Sequence, residues 1–166
     1  MSDTTLTPSR LWKRMTSDQR LRASQALWNE SEAATEQAEA ITLIAKQWKL
    51  RPKSAVGLDA DRKARYLASI GNLSETLAAR LLVLYHLAEQ RPMMTAFLDA
   101  AGVKHENALI HDDTPRPDAD KIGAGVAAIV KSYPAADVAL YLNTLLWQDT
   151  TAWGALEGRP ELAATG

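Results

Sequence analysis

The chain has 166 residues, 46% of them apolar and 23% charged, which is ordinary for a folded domain and argues against disorder. There is no cysteine, so disulfide bracing, thiolate-ligated zinc and a cysteine nucleophile are excluded. No apolar run approaches the ~20 residues that a membrane-spanning helix needs. The segment Met1-Ser2-Asp3-Thr4-Thr5 has no basic patch leading into an apolar core, so a cytoplasmic protein is expected.

The formal net charge of −1 is unevenly placed. Residues 1–65 hold 12 Lys+Arg against 8 Asp+Glu, a net +4, and residues 66–166 hold 7 against 12, a net −5. Such asymmetry marks either a binding face or solvated surface.

Taken in order, Pro8 opens a short helix carrying Leu11, Trp12 and Met15. Thr16, followed three residues later by Gln19, forms a capping box and predicts a helix to about Trp28. After Asn29-Glu30-Ser31-Glu32, the residues Ala34, Ala38, Ile41, Ala45 and Trp48 make a helical stripe. The short link between these helices predicts an antiparallel hairpin over 8–48. Lys49 to Leu58 contains Pro52 and Gly57 and reads as a connector. Asp59 caps the next helix, which carries Ala60, Ala64, Leu67 and Ile70.

Ser74 caps a helix to Glu89 that is apolar on most sides. Leu77, Leu81, Leu84 and Tyr85 share one face, while Leu82 and Leu87 interrupt the polar side. This helix is expected to be covered by neighbours on more than one side. Pro92 starts another helix with Met93, Met94, Phe97 and Leu98 inward, and Gly102 ends it.

The run Asn107-Ala108-Leu109-Ile110 suggests extended chain inside the long break from Val103 to Pro117. Ile122, Val126, Ile129 and Val130 then make a stripe, and Pro134 separates it from a helix with Val138, Leu142, Leu145 and Leu146 on one face. Leu140 and Trp147 lie roughly opposite that face. Residues 157–166 read as a frayed tail.

Several constellations carry chemistry in other settings. Gly123-Ala124-Gly125-Val126-Ala127-Ala128 matches a glycine-rich dinucleotide fingerprint, but the strand that must precede it is missing. The glycines then sit inside a helix, where Gly123 and Ala127 are expected to admit a close neighbour. Gly71 between two helices invites a helix-turn-helix reading. The second helix offers only Ser74, Glu75, Thr76 and Arg80 to a groove, which is poor equipment for reading bases.

His105, Glu106, His111 and Asp112, with His86 from the central helix, are ligand types that suit a metal such as zinc. Their spacing matches neither His-Glu-x-x-His nor the Glu-x-x-His pairs of di-iron bundles. Lys49, Arg51, Lys53, Arg62, Lys63 and Arg65 crowd one segment against only Asp59 and Asp61, a pattern that can hold phosphates without reading sequence. Trp48 and Tyr66 are the aromatics interleaved with them.

The sequence therefore predicts an all-α protein, a single compact domain of six to eight helices over 1–166, packed as an antiparallel or orthogonal helical bundle. In it the hairpin 8–48 packs on a helical core 59–156. The functional expectation is a non-enzymatic helical interaction module without a cofactor, able to form a homo-oligomer through Trp12, Leu140 and Trp147 as anchors. Trp28 and Trp48 are expected in the core. Phosphate or nucleic-acid contact through 49–65 stands second, and a metal-dependent site in 103–117 third.

Overall fold

The computed structural model describes residues 6–111 and 113–163. Its regular structure is helical, as the apolar periodicity predicts. Nine α-helices lie among the described residues: α1 (Pro8–Arg14), α2 (Ser17–Asn29), α3 (Ala34–Gln47), α4 (Pro52–Val56), α5 (Ala60–Ala68), α6 (Glu75–Glu89), α7 (Arg91–Ala100), α8 (Ala119–Val130) and α9 (Ala135–Gln148). One more helix forms than the upper expectation. It is α4, inside the stretch read as a connector, where Pro52 supplies the preset φ of a helical first turn. No helix among the described residues is long and apolar enough to cross a membrane.

The chain divides into two compact units, one over Pro8–Ala88 and another taken up from Glu89. The hairpin 8–48 thus shares its unit with α4, α5 and most of α6. Within that unit α2 packs chiefly on α5, and α3 touches both α4 and α5.

The helix ends of the first unit are set by local chemistry. The Thr16 hydroxyl accepts from the Gln19 N–H at 3.0 Å while the Gln19 side chain accepts from the Thr16 N–H at 2.9 Å, completing the capping box. Arg20 reaches back to donate to the carbonyls of Trp12 and Lys13, closing the C-terminal end of α1 where positive charge is favoured. The Asp59 carboxylate accepts from the Arg62 N–H at 2.8 Å. Ser74 accepts from the Leu77 N–H and donates to the Glu39 carboxylate.

In α6, Leu77, Ala78, Leu81, Leu82, Leu84, Tyr85 and His86 are buried. At about 100° per residue these positions sweep about 200° of the helix circumference, so burial extends well past a single face. Leu82 is fully buried and Leu87 partly so. His86, a candidate metal ligand in the sequence, is buried. Its position lies beside Leu82, and its Nδ1–H donates to the Leu82 carbonyl at 2.8 Å, which gives the ring a backbone partner.

The second unit has a continuous core of Met93, Phe97, Leu98, Ile122, Val126, Ile129, Tyr141, Leu142, Leu145, Leu146, Trp153 and their small neighbours. Phe97 is at its centre, edge-on to Tyr141 and tilted against Trp153, with ring centroids 5.5 and 5.7 Å apart. The close helix approach is made at Gly125 rather than at Gly123 and Ala127. Gly125 is buried against Phe97, whereas a Cβ on Gly123 would meet only the tip of Arg159 at 3.9 Å.

The residues after Glu157 are not frayed as far as they are described. Pro160–Ala163 forms a 3-10 turn against α9, Asn143 donates its side-chain amide to the Leu162 carbonyl at 3.0 Å, and Leu162 packs on the core. The Asn143 amide and the Leu162 side chain together hold this turn.

Candidate functional site

The segment that follows α7 is built from a helix end and a tight turn. Gly102 adopts φ +69°, and the Val103 N–H returns to the Leu98 carbonyl at 2.9 Å, ending the helix as the sequence predicts. Glu106 and Leu109 then exchange two backbone hydrogen bonds of 2.9 Å, so residues 106–109 close a two-residue turn instead of running extended. Both central residues have positive φ, +51° at Asn107 and +71° at Ala108. Asn tolerates that region, but Ala is strained there.

The surroundings hold the strained turn in place. The Ala108 N–H donates to His105 Nδ1 at 3.1 Å, and the His105 Nε2–H donates to Asp99 at 2.7 Å. Arg91 donates to the Asn107 carbonyl at 2.6 Å. Strain persists in a protein only where neighbouring contacts over-determine it, and such places cluster at functional sites. The turn buries Ala108 and displays Leu109, 52% exposed, and Ile110, 39% exposed, beside the exposed polar Glu106 and Asn107.

Beside the turn lies a cleft of about 370 Å³. The largely buried Val103, Leu145 and Trp153 lie at its base, Gln148, Asp149 and Ala152 line one wall, and Ile110, His111 and Arg116 line it from the loop side. Arg116 stands 3.7 Å from the Asp149 carboxylate, a long and exposed ion pair. The same Asp149 accepts from the Ala152 N–H at 3.0 Å and so starts the turn that carries Trp153.

The expected interface anchors are placed differently. Trp12 has 0% exposure, and its indole N–H donates to the Ile70 carbonyl at 2.8 Å. It is a core residue because the donor at the end of its apolar ring meets a backbone acceptor. Leu140, on α9, is 5% exposed and offers no surface to a partner. Trp147 is partly exposed. Trp28 and Trp48, expected in the core, are both partly exposed.

The metal ligands are not gathered. Among the described residues no three His, Cys, Asp or Glu side chains are placed to hold an ion. Both His105 nitrogens serve the turn, and His86 is tied to its own helix. His111 and Glu106 are exposed and 3.5 Å apart. Asp112 lies outside the described residues.

The six basic candidates separate into two groups. Lys63 lies over the Trp28 ring at 5.2 Å, and Arg65 pairs with Asp61 at 2.7 Å. Lys49, Arg51, Lys53 and Arg62 are exposed and have no carboxylate partner among the described residues.

Leu109 and Ile110 escaped the sequence reading as site residues because an apolar pair suggests burial. The signal that could have found them is Asn107, a residue suited to positive φ, just before an apolar pair in a polar loop. Comparison with family models, curated proteins and solved structures finds no match for this chain.

Proposed function

We propose that this protein is an interaction module that pairs with a second copy of itself, the Leu109 turn of each copy seated in the other's cleft. The observation that carries this reading is the strained but fastened turn that holds Leu109 and Ile110 in water. Ala108 itself is buried in the core, which anchors the turn, and the turn so anchored leaves Leu109 and Ile110 as an exposed apolar tip, which is useful when something covers it.

A second copy is favoured because knob and hole lie side by side on one loop. A two-fold contact needs a self-complementary patch, in which residue i meets j and j meets i. The cleft lining mixes polar side chains with Ile110, Pro115 and Ala152, and Arg116 at its rim complements the exposed Glu106 at the tip.

Sedimentation velocity over a wide concentration range tests the reading. The wild type should move from monomer to dimer as concentration rises, and Leu109→Asp should stay monomeric with an unchanged helical spectrum. A wild type that remains monomeric at about 1 mM, where even a weak pair of about −4 kcal/mol would form, refutes it.

A further inference from the structure

The basic segment belongs to neither the turn nor the cleft. The unit Pro8–Ala88 holds 13 Lys+Arg against 8 Asp+Glu, a net +5, while the rest of the chain holds 6 against 12, a net −6. The boundary between the units is therefore also a boundary between positive and negative charge. In the positive unit, the end of α3, α4 and the start of α5 bring Lys49, Arg51, Lys53 and Arg62 to the surface without carboxylate partners among the described residues.

Lys49 has φ +54°, in the left-handed region where a helix end ordinarily carries glycine. The Leu50 N–H closes the helix end on the Ala45 carbonyl at 2.8 Å. A lysine at this position sacrifices backbone ease and keeps a cation. Next to it, Trp48 stacks on Tyr66 with ring centroids 4.6 Å apart and planes tilted by 31°, both rings partly exposed. On α5, Arg62 is one turn before Tyr66 and so shares its face.

Unpaired cations beside a partly exposed aromatic pair fit one class of ligand. Phosphates are met by the charges, and an unstacked base meets the ring pair. We infer that this face binds single-stranded nucleic acid without reading its sequence. Duplex nucleic acid offers the phosphates but keeps its bases stacked, and an anionic bilayer offers phosphates with no base at all.

The test is a fluorescence titration of the full chain with a single-stranded oligonucleotide of about 16 nucleotides, the upper size of one such site. Binding at about 50 mM salt should quench tryptophan emission, with log K falling against log salt at a slope of about −3, the value for four phosphates on a single strand. Trp48→Phe should keep the affinity within about threefold and lose most of the quench, as expected when an aromatic platform is retained. Lys49→Gly suits the local backbone, so the fold should be at least as stable. Combined with Arg51→Gln, Lys53→Gln and Arg62→Gln, it should weaken binding by 100-fold or more. No binding at low salt, undiminished binding by the four-site variant, or tighter binding to duplex or to phosphatidylserine vesicles overturns the inference.

Discussion

Phe97 fills the space that a side chain on Gly125 would need. An added Cβ would lie 2.9 Å from the phenyl ring and 3.0 Å from the Phe97 carbonyl oxygen. The ring is locked between Tyr141 and Trp153, and the carbonyl is part of α7, so neither yields easily. Gly125→Ala should therefore destabilise the protein by about 1–3 kcal/mol, the range for overpacking a filled core. Gly123→Ala, two residues away, would meet only the Arg159 tip at an ordinary contact distance of 3.9 Å and gains helix propensity, so it should be neutral or stabilising by up to ~1 kcal/mol. Denaturant melts of the two variants decide this. Equal effects would mean that α7 and α8 are not in close contact at Gly125.

Trp12 and Ile70, 58 residues apart, are joined by a buried hydrogen bond. Trp12→Phe keeps an aromatic ring but leaves the Ile70 carbonyl without that donor, and should lower stability by about 1–3 kcal/mol. Trp147→Phe, at a partly exposed position with no indole hydrogen bond among the described contacts, should have a smaller effect. Thermal melts of both variants check the order. The reverse order would place Trp12, not Trp147, at the surface.

Burial raises the Tyr141 phenol well above its ordinary value. Its folded form therefore keeps a proton that the unfolded chain releases near pH 10. Above that pH the unfolded state binds fewer protons, so stability is fully present below about pH 10 and declines as pH rises beyond it. Midpoints measured between pH 8 and 11 should fall at the alkaline end, and the fall should be shallower in Tyr141→Phe. An equally steep fall in the variant would show that other groups set the alkaline limit.

The helices were legible in the sequence because their caps are local. Thr16 with Gln19, Asp59, Ser74 and Gly102 each act within a few residues, and all four form as the sequence predicts. The burial of α6 was legible for a related reason, since Leu82 breaks an otherwise polar side. Tertiary partners were less legible. Nothing near Trp12 announces the Ile70 carbonyl, and nothing near Asn143 announces the Leu162 carbonyl that holds the C-terminal turn. The turn at 106–109 was hidden for a different reason. Ala108 at φ +71° contradicts its own propensity and is held there by His105, with Arg91 fastening the neighbouring Asn107 from 16 residues upstream. The histidine that resembled a metal ligand is the clamp of that turn.

The most direct test of the proposed pairing uses the absence of native cysteine. One sample carries Leu109→Cys and the other Gln148→Cys, the first at the exposed tip and the second on the cleft wall. Mixed and mildly oxidised, the two should form a disulfide-linked heterodimer well above the level of either like-with-like product. If the mixture gives no linked species, or only like-with-like dimers, Leu109 does not seat in a partner's cleft and the account of the turn is wrong.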